Sequence, residues 1–157
     1  VEFTLLLAFV LYFKINTLES IEQVFTVLMA DDDIDDQVFL KMAIKKYSSN
    51  IKVKCFENGL ELLKYLENHV KPNIIILDLN MPLKNGKETL KDIKTDDRFK
   101  HIPVLIYSTS KDPAEITSIY KLGGNSYISK FNNLKDLDKT IERMFSYWLT
   151  VVSLPEN

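Results

Sequence analysis

The chain is poor in the residues that most often announce a function. Among its 157 residues Cys55 is the only cysteine, so no internal disulfide can form. Its place in the alternating run "IKVKCF" reads as a strand thiol turned toward the interior rather than a reactive one. Histidine is nearly as scarce. His69 and His101 both stand in polar sequence with no metal-ligand or phosphodonor context, which places them on the surface. Charge of one sign is lacking too: 20 basic residues are interspersed with 22 acidic ones for a net charge of −2, which gives no electrostatic reason to expect a nucleic-acid partner. No glycine-rich loop follows the first strand-like run, which argues against a flavin or nucleotide cradle. No internal repeat, low-complexity stretch or interdomain linker interrupts the pattern.

A long hydrophobic run is also missing. "FTLLLAFVLYF" (Phe3 to Phe13) is apolar apart from Thr4 but reaches only about half the ~20 residues of a membrane helix. It lacks the basic flank and small-residue cleavage site of a signal peptide. Three readings stay open for it: a helix packed on the domain or on a partner, a membrane-associating segment, or an upstream extension foreign to the natural product. The expected organisation is an apolar extension over 1–22, one domain over 23–150 and a tail over 151–157, with a cytoplasmic location.

What is present is regular. Hydrophobic content of 46% and charged content of 27% suit a folded domain with a full core. "VFTVLMA" is a strand candidate. "DIDDQVFLKMAIKKY" then places Val38, Phe39, Met42, Ala43 and Ile44 at helical spacing. "IKVKCF" alternates as a strand, and a helix from Gly59 turns Leu60, Leu62, Leu63 and Leu66 inward. The "IIIL" strand precedes a helix near Gly86 to Thr95 with Leu90 and Ile93 inside. "IPVLIY" is a fourth strand, and "DPAEITSIYKLG" a helix with Pro113 in its first turn. "SYIS" is a short fifth strand, and the last helix carries Leu134, Leu137, Ile141, Met144, Phe145 and Trp148. Five strand-then-helix units predict a doubly wound parallel α/β sheet covered on both faces.

The run "NIIILDLNMP" poses a physical question. Four apolar residues drive straight into Asp78, and Pro82 prevents the strand from continuing. Asp78 therefore ends a strand at the carboxyl edge, where open parallel sheets place ligands and chemistry. A carboxylate there costs desolvation free energy unless it is compensated. The first strand runs into "ADDDIDD", and Asp31 and Asp32 reach the same edge if the two strands are neighbours. Asp33, Asp35 or Asp36 suit N-capping of the helix that follows. Three converging carboxylates either raise one another's pKa values or hold a cation, and Mg²⁺ fits an all-oxygen set best. The fourth strand brings Ser108 to this edge and the fifth brings Lys130. That lysine is either a stabilising ion pair or a cation placed for an arriving phosphoryl group. Together they suggest an aspartyl-phosphate site.

From about Val24 to Leu149 the chain resembles a response-regulator receiver domain, the phosphoacceptor module of two-component signalling. The resemblance rests on "MADDD", "LDLNMPLKNG", "VLIYSTS" and "GGNSYISK" in that order and spacing. It implies the flavodoxin-like strand order 2-1-3-4-5, the order the family shares with other doubly wound folds. It further implies Asp78 as the phosphoacceptor, Asp31 and Asp32 as the acidic pair that organises Mg²⁺, and the Asn80 backbone carbonyl as a further ligand. Ser108 would be the switch hydroxyl, Lys130 the phosphoryl partner and Tyr127 the aromatic switch, whose alternative is a half-buried strand tyrosine. The implied donor is a phosphohistidine of a sensor or hybrid histidine kinase. "DDRFKHIPVLIYSTSKDPAEI" and "YWLTVVSLP" are also similar to stand-alone regulators associated with phytochrome-type kinases. Output would pass through an unknown downstream protein, and a homodimer through the last strand and helices is possible for such a module.

Two positions depart from the family pattern. Phe131 follows Lys130 where the family usually has a proline, so a trans bond and a shifted loop are expected, since a non-proline cis bond costs roughly 3 kcal/mol. Thr109 stands at a position that is often small. They keep a phosphorylation-independent binding module in play as an alternative. A Mg²⁺-dependent phosphatase with an aspartate nucleophile is a second alternative, but that group has an acid two residues on, where this chain has Asn80. The receiver reading makes the chain a signalling domain rather than an enzyme.

Overall fold

The computed structural model describes residues 24–131 and 133–155. The apolar Phe3 to Phe13 segment and its three readings lie outside them. Five strands alternate with five helices in chain order: β1 Phe25–Ala30, α1 Ile34–Tyr47, β2 Ile51–Phe56, α2 Gly59–Asn68, β3 Ile74–Leu77, α3 Gly86–Thr95, β4 Val104–Ser108, α4 Pro113–Lys121, β5 Ser126–Ser129 and α5 Leu134–Ser146. A π-helical turn over Tyr147–Val151 extends α5. The strands form one parallel sheet in the order β2-β1-β3-β4-β5, the flavodoxin-like arrangement that the family resemblance implies. Among the described residues no helix is long and apolar enough to cross a membrane.

Alternation along the strands sorts the core into two layers. Leu28 and Ala30 of β1, Ile75 and Leu77 of β3, and Val104 and Ile106 of β4 pack under α2, α3 and α4 against Leu62, Leu66, Leu90, Ile93 and Ile119. Val27, Met29, Ile74, Ile76, Leu105 and Tyr107 face the other way, against Leu40, Ala43 and Ile44 of α1 and Leu137, Ile141, Met144 and Phe145 of α5. The central strands are buried on both faces, which is why β3 reads as an unbroken apolar run.

The inward faces of three helices differ from expectation. In α1 the buried residues are Gln37, Leu40, Ala43 and Ile44, while Val38, Phe39 and Met42 are exposed. The cause is Gln37, whose Nε2 donates to the Asp31 carbonyl at 2.7 Å and to the Phe56 carbonyl at 3.4 Å. That bonding turns a polar residue inward and rotates the apolar neighbours toward solvent. Leu60 and Leu134 are likewise exposed, because each lies in the first turn of its helix, beyond the end of the packed layer. Helix α4 is the most lightly seated, with Ile119 as its one buried residue.

The caps are local and explicit. Asp33 caps α1, accepting from the Asp35 and Asp36 amides at 2.9 and 3.3 Å. Asn85 and Glu88 form a reciprocal capping box at α3. This box fixes where the β3–α3 connection ends, and Gly86 then packs against the Asp78 backbone. Within that connection Leu83 adopts φ 62 and is 82% exposed.

Candidate phosphoacceptor site

The side-chain parity of the strands positions the site. One residue past β1, Asp31 continues the side of Val27 and Met29; one past β3, Asp78 continues the side of Ile74 and Ile76; one past β5, Lys130 continues the side of Ile128. All three therefore meet on the α1/α5 side of the carboxyl edge. Backbone bonds extend the ladder to hold them there: Asp31 N–H to the Phe56 carbonyl at 3.0 Å, Asp78 N–H to that of Ala30 at 2.9 Å, and Lys130 N–H to that of Ser108 at 2.8 Å.

The resulting cluster is buried and charged. Lys130 Nζ lies 2.7 Å from Asp31 Oδ2, 2.7 Å from Asp36 Oδ2 and 3.5 Å from Asp78 Oδ1, with 9% of its side chain exposed. It also sits 5.6 Å from the centre of the buried Tyr107 ring. Asp31 Oδ1 accepts the Asp33 amide at 3.0 Å, and Asp78 Oδ2 accepts the Asn80 amide at 3.0 Å. Burial pushes the Asp31 carboxyl up to about 6, against the pull of Lys130 and the Asp33 amide. The same desolvation raises Asp78, opposed by the Lys130 charge and by the Asn80 and Leu79 amides. Burial by itself would lower the Lys130 value, but its bonds to Asp31 and Asp36 prevail and raise it. Tyr107 is pushed up to about 12, first by burial and then by the Asp36 charge.

These residues suit a divalent cation. Asp31, Asp32 and Asp78 each offer one oxygen within 4.8 Å of the others, with Asp32 exposed at the mouth. Asp78 Oδ1 is buried without a hydrogen-bond partner. Asp31 Oδ2 is likewise buried without a hydrogen bond, and a hard all-oxygen donor set with unsatisfied carboxylate oxygens is what Mg²⁺ or Mn²⁺ takes. Asn80 is tied to the Asp78 carboxylate through its amide.

Ser108 and Tyr127 are placed differently. By parity both face the α2/α3/α4 side, where Tyr127 packs on that core layer and Ser108 is fully buried. Neither side chain hydrogen-bonds to the Lys130 cluster among the described residues; they share Ser110 instead. The Ser108 hydroxyl accepts the Ser110 amide at 3.4 Å, and the Tyr127 hydroxyl donates to the Ser110 carbonyl at 3.0 Å. Thr109 between them is exposed. No peptide bond among the described residues is cis, and with Phe131 in place Lys130 still spans to both aspartates. His69 and His101 are exposed, and His69 stacks on Tyr65 at 3.8 Å. Cys55 is half-buried on β2.

The comparisons with known proteins meet this geometry. The family model described as response regulator receiver domain matches residues 27–142. The chain belongs to the receiver family. This receiver is 34% identical over 135 residues to response regulator Rcp1 of Synechocystis, an alignment covering 82% of this chain and 92% of that protein. It is 29% identical over 133 residues to a probable methanogenesis regulatory protein, FilR2, of Methanothrix harundinacea, covering 82% and 86%. Among solved structures, the phosphorylated cyanobacterial phytochrome response regulator RcpA superposes with a TM-score of 0.80 at 32% identity, covering 84% of this chain and 99% of that one. The Mn²⁺-bound form of Rcp1 gives 0.78 at 34%, with the same coverage. The receiver is thus similar to phytochrome-associated response regulators, as the "YWLTVVSLP" ending suggests.

Sequence reasoning missed three contributors. Asp36 stands among the N-cap candidates but pairs with Lys130; its one signal is that it is the fifth acid of "ADDDIDD". Gln37 ties α1 to β1 and β2, and Ser110 links Ser108 to Tyr127 through its backbone, which no side-chain pattern reveals.

Proposed function

We propose that this receiver accepts a phosphoryl group on Asp78 from the phosphohistidine of a sensor or hybrid histidine kinase, of phytochrome type by its likeness to the phytochrome response regulator RcpA. The observation that carries this is Asp78 Oδ1, a buried carboxylate oxygen with no hydrogen-bond partner, 3.5 Å from a lysine ammonium at the edge of a parallel sheet. In the transfer that oxygen attacks phosphorus while the phosphorus–nitrogen bond breaks, and the electron pair returns to the histidine ring. Asp31, Asp32, Asp78 and the Asn80 carbonyl would hold Mg²⁺, which would supply electrostatic stabilisation of the phosphoryl oxygens. Lys130 supplies the cation from this chain, and the Asn80 amide fixes the orientation of the attacking carboxylate.

A protein donor is supported by the rim of the pocket. Ile34, Leu83, Phe131 and Leu134 are exposed apolar residues, and all four follow the carboxyl ends of strands, around the acidic centre. An apolar collar about a charged pocket suits a macromolecule better than a small phosphodonor. The location that goes with such a donor is cytoplasmic, and the receiver domain spans about 23–150.

The response arises on the other side of the sheet. A phosphoryl group near −2 attracts the Ser108 hydroxyl, which then no longer accepts from the Ser110 amide. Ser110 also holds Tyr127, so the loop into α4 and the tyrosine move together. Helix α4 is lightly seated and β5 is a half-buried edge strand, so the α4, β5 and α5 face is the cheapest part of the fold to rearrange. That face would bind the downstream protein. The exposed Tyr147 and Val151 beyond α5 support a homodimer through the last strand and helices. Beryllofluoride with Mg²⁺ is expected to shift the amide resonances of Ser108 to Asp112, Tyr127 and α4, and to leave β2 nearly unmoved. Shifts confined to Asp31, Asp32 and Asp78 would contradict the switch.

A further inference from the structure

Lys130 is divided between three carboxylates, and the division is unequal. Its ammonium lies 2.7 Å from Asp31 and from Asp36 but 3.5 Å from Asp78. Asp31 is fixed by the end of β1, and Asp36 lies in the first turn of α1 with 31% of its side chain exposed. The Asp36 backbone is itself anchored by the N-cap, because its amide donates to Asp33. Geometry thus sets a second carboxylate nearer to the Lys130 ammonium than the reacting oxygen is.

We infer that Asp36 is a positioning residue that holds Lys130 back from Asp78 until a phosphoryl group arrives. The inference rests on the phosphoacceptor reading and adds a competitor to it. An anion bound at Asp78 must draw the ammonium off Asp36, so Asp36 weakens the hold of the phosphorylated state. Movement of Lys130 also leaves the Asp36 carboxylate without its counter-ion on α1, at the apolar rim that includes Ile34. Phosphorylation is therefore sensed on the α1 side of the sheet as well as at Ser108 and Tyr127.

The test uses the full chain and beryllofluoride with Mg²⁺ as the phosphoryl mimic. Asp36→Asn keeps the side-chain shape and removes the pairing charge. It should bind beryllofluoride about five-fold more tightly, the factor expected from losing one partly exposed ion pair that competes with binding. Asp36→Glu should restore the wild-type affinity. Asp35→Asn removes the same charge from an exposed neighbour on the same turn and should leave the affinity unchanged, which separates positioning from a general change in potential. In the metal-free Asp36→Asn crystal structure, Lys130 Nζ should close from 3.5 Å to hydrogen-bond distance of Asp78 Oδ1. Equal effects of Asp35→Asn and Asp36→Asn, or an unmoved Lys130, would overturn the inference while wild-type binding leaves the phosphoacceptor reading standing. A wild-type chain that binds no beryllofluoride would overturn both.

Discussion

Lys130→Met is expected to cost about 3–5 kcal/mol of folding free energy in metal-free buffer, the range for removing one partner of a buried ion pair. An exposed pair would cost about 0–1 kcal/mol, so the magnitude depends on burial. Lys130 has 9% of its side chain exposed, Asp31 has 0% and Asp78 has 5%, which puts this cluster in the buried class. Without the ammonium, the Asp31 and Asp78 carboxyls lose the charge that opposes their desolvation, and their pKa values rise further. Urea unfolding in EDTA measures the loss. Saturating Mg²⁺ should then stabilise Lys130→Met more than it stabilises the wild type, because the cation takes over neutralisation of the same oxygens. Equal stabilisation of both proteins by Mg²⁺ would show that Lys130 and the cation do not share these carboxylates.

Gly86→Ala should be damaging in a different way. A Cβ at this position would stand 2.0 Å from the Asp78 carbonyl oxygen and 2.8 Å from the Asp78 carbonyl carbon and Leu79 Cα. All three are backbone atoms, so no rotamer change relieves the clash. Either α3 or the β3–α3 connection must move, and the bond from the Gly86 amide to the Leu79 carbonyl is strained with it. We expect a loss of about 3 kcal/mol, at the upper end for overpacking. Phosphoryl uptake should fall as well, since the displaced residue is Asp78 itself. Gly123→Ala provides the contrast: φ is +93 there, but its Cβ would meet only the Lys94 side chain, at 3.3 Å. That change should cost about 1 kcal/mol and leave uptake intact. Thermal melts beside phosphorylation assays distinguish the two sites; intact uptake by Gly86→Ala would contradict the close-packing argument.

The sheet was legible because its signal is strong. Four apolar residues before Asp78 and the ordered acidic, hydroxyl and lysine strand ends follow directly from burial on both faces and from parallel topology. Helix α1 was less legible, because apolar residues occupy more than one of its faces. Nothing in the spacing says that Gln37 rather than Val38 turns inward; that choice depends on carbonyls at the ends of β1 and β2. The Asp36–Lys130 pair was hidden for a related reason. Its partners come together only once β5 is laid beside β4, and an acidic residue in the first turn of a helix already has a sufficient local explanation. Ser110 acts through its backbone, where the identity of the side chain carries no information.

The most direct measurement of the central claim is intact mass after incubation with acetyl phosphate, with and without Mg²⁺, for the wild type and Asp78→Asn. The account predicts one phosphoryl addition to the wild type that requires Mg²⁺ and is absent from Asp78→Asn. An adduct that persists in Asp78→Asn would contradict it, as would a wild-type chain that binds Mg²⁺ and beryllofluoride at this edge yet never carries a phosphoryl group.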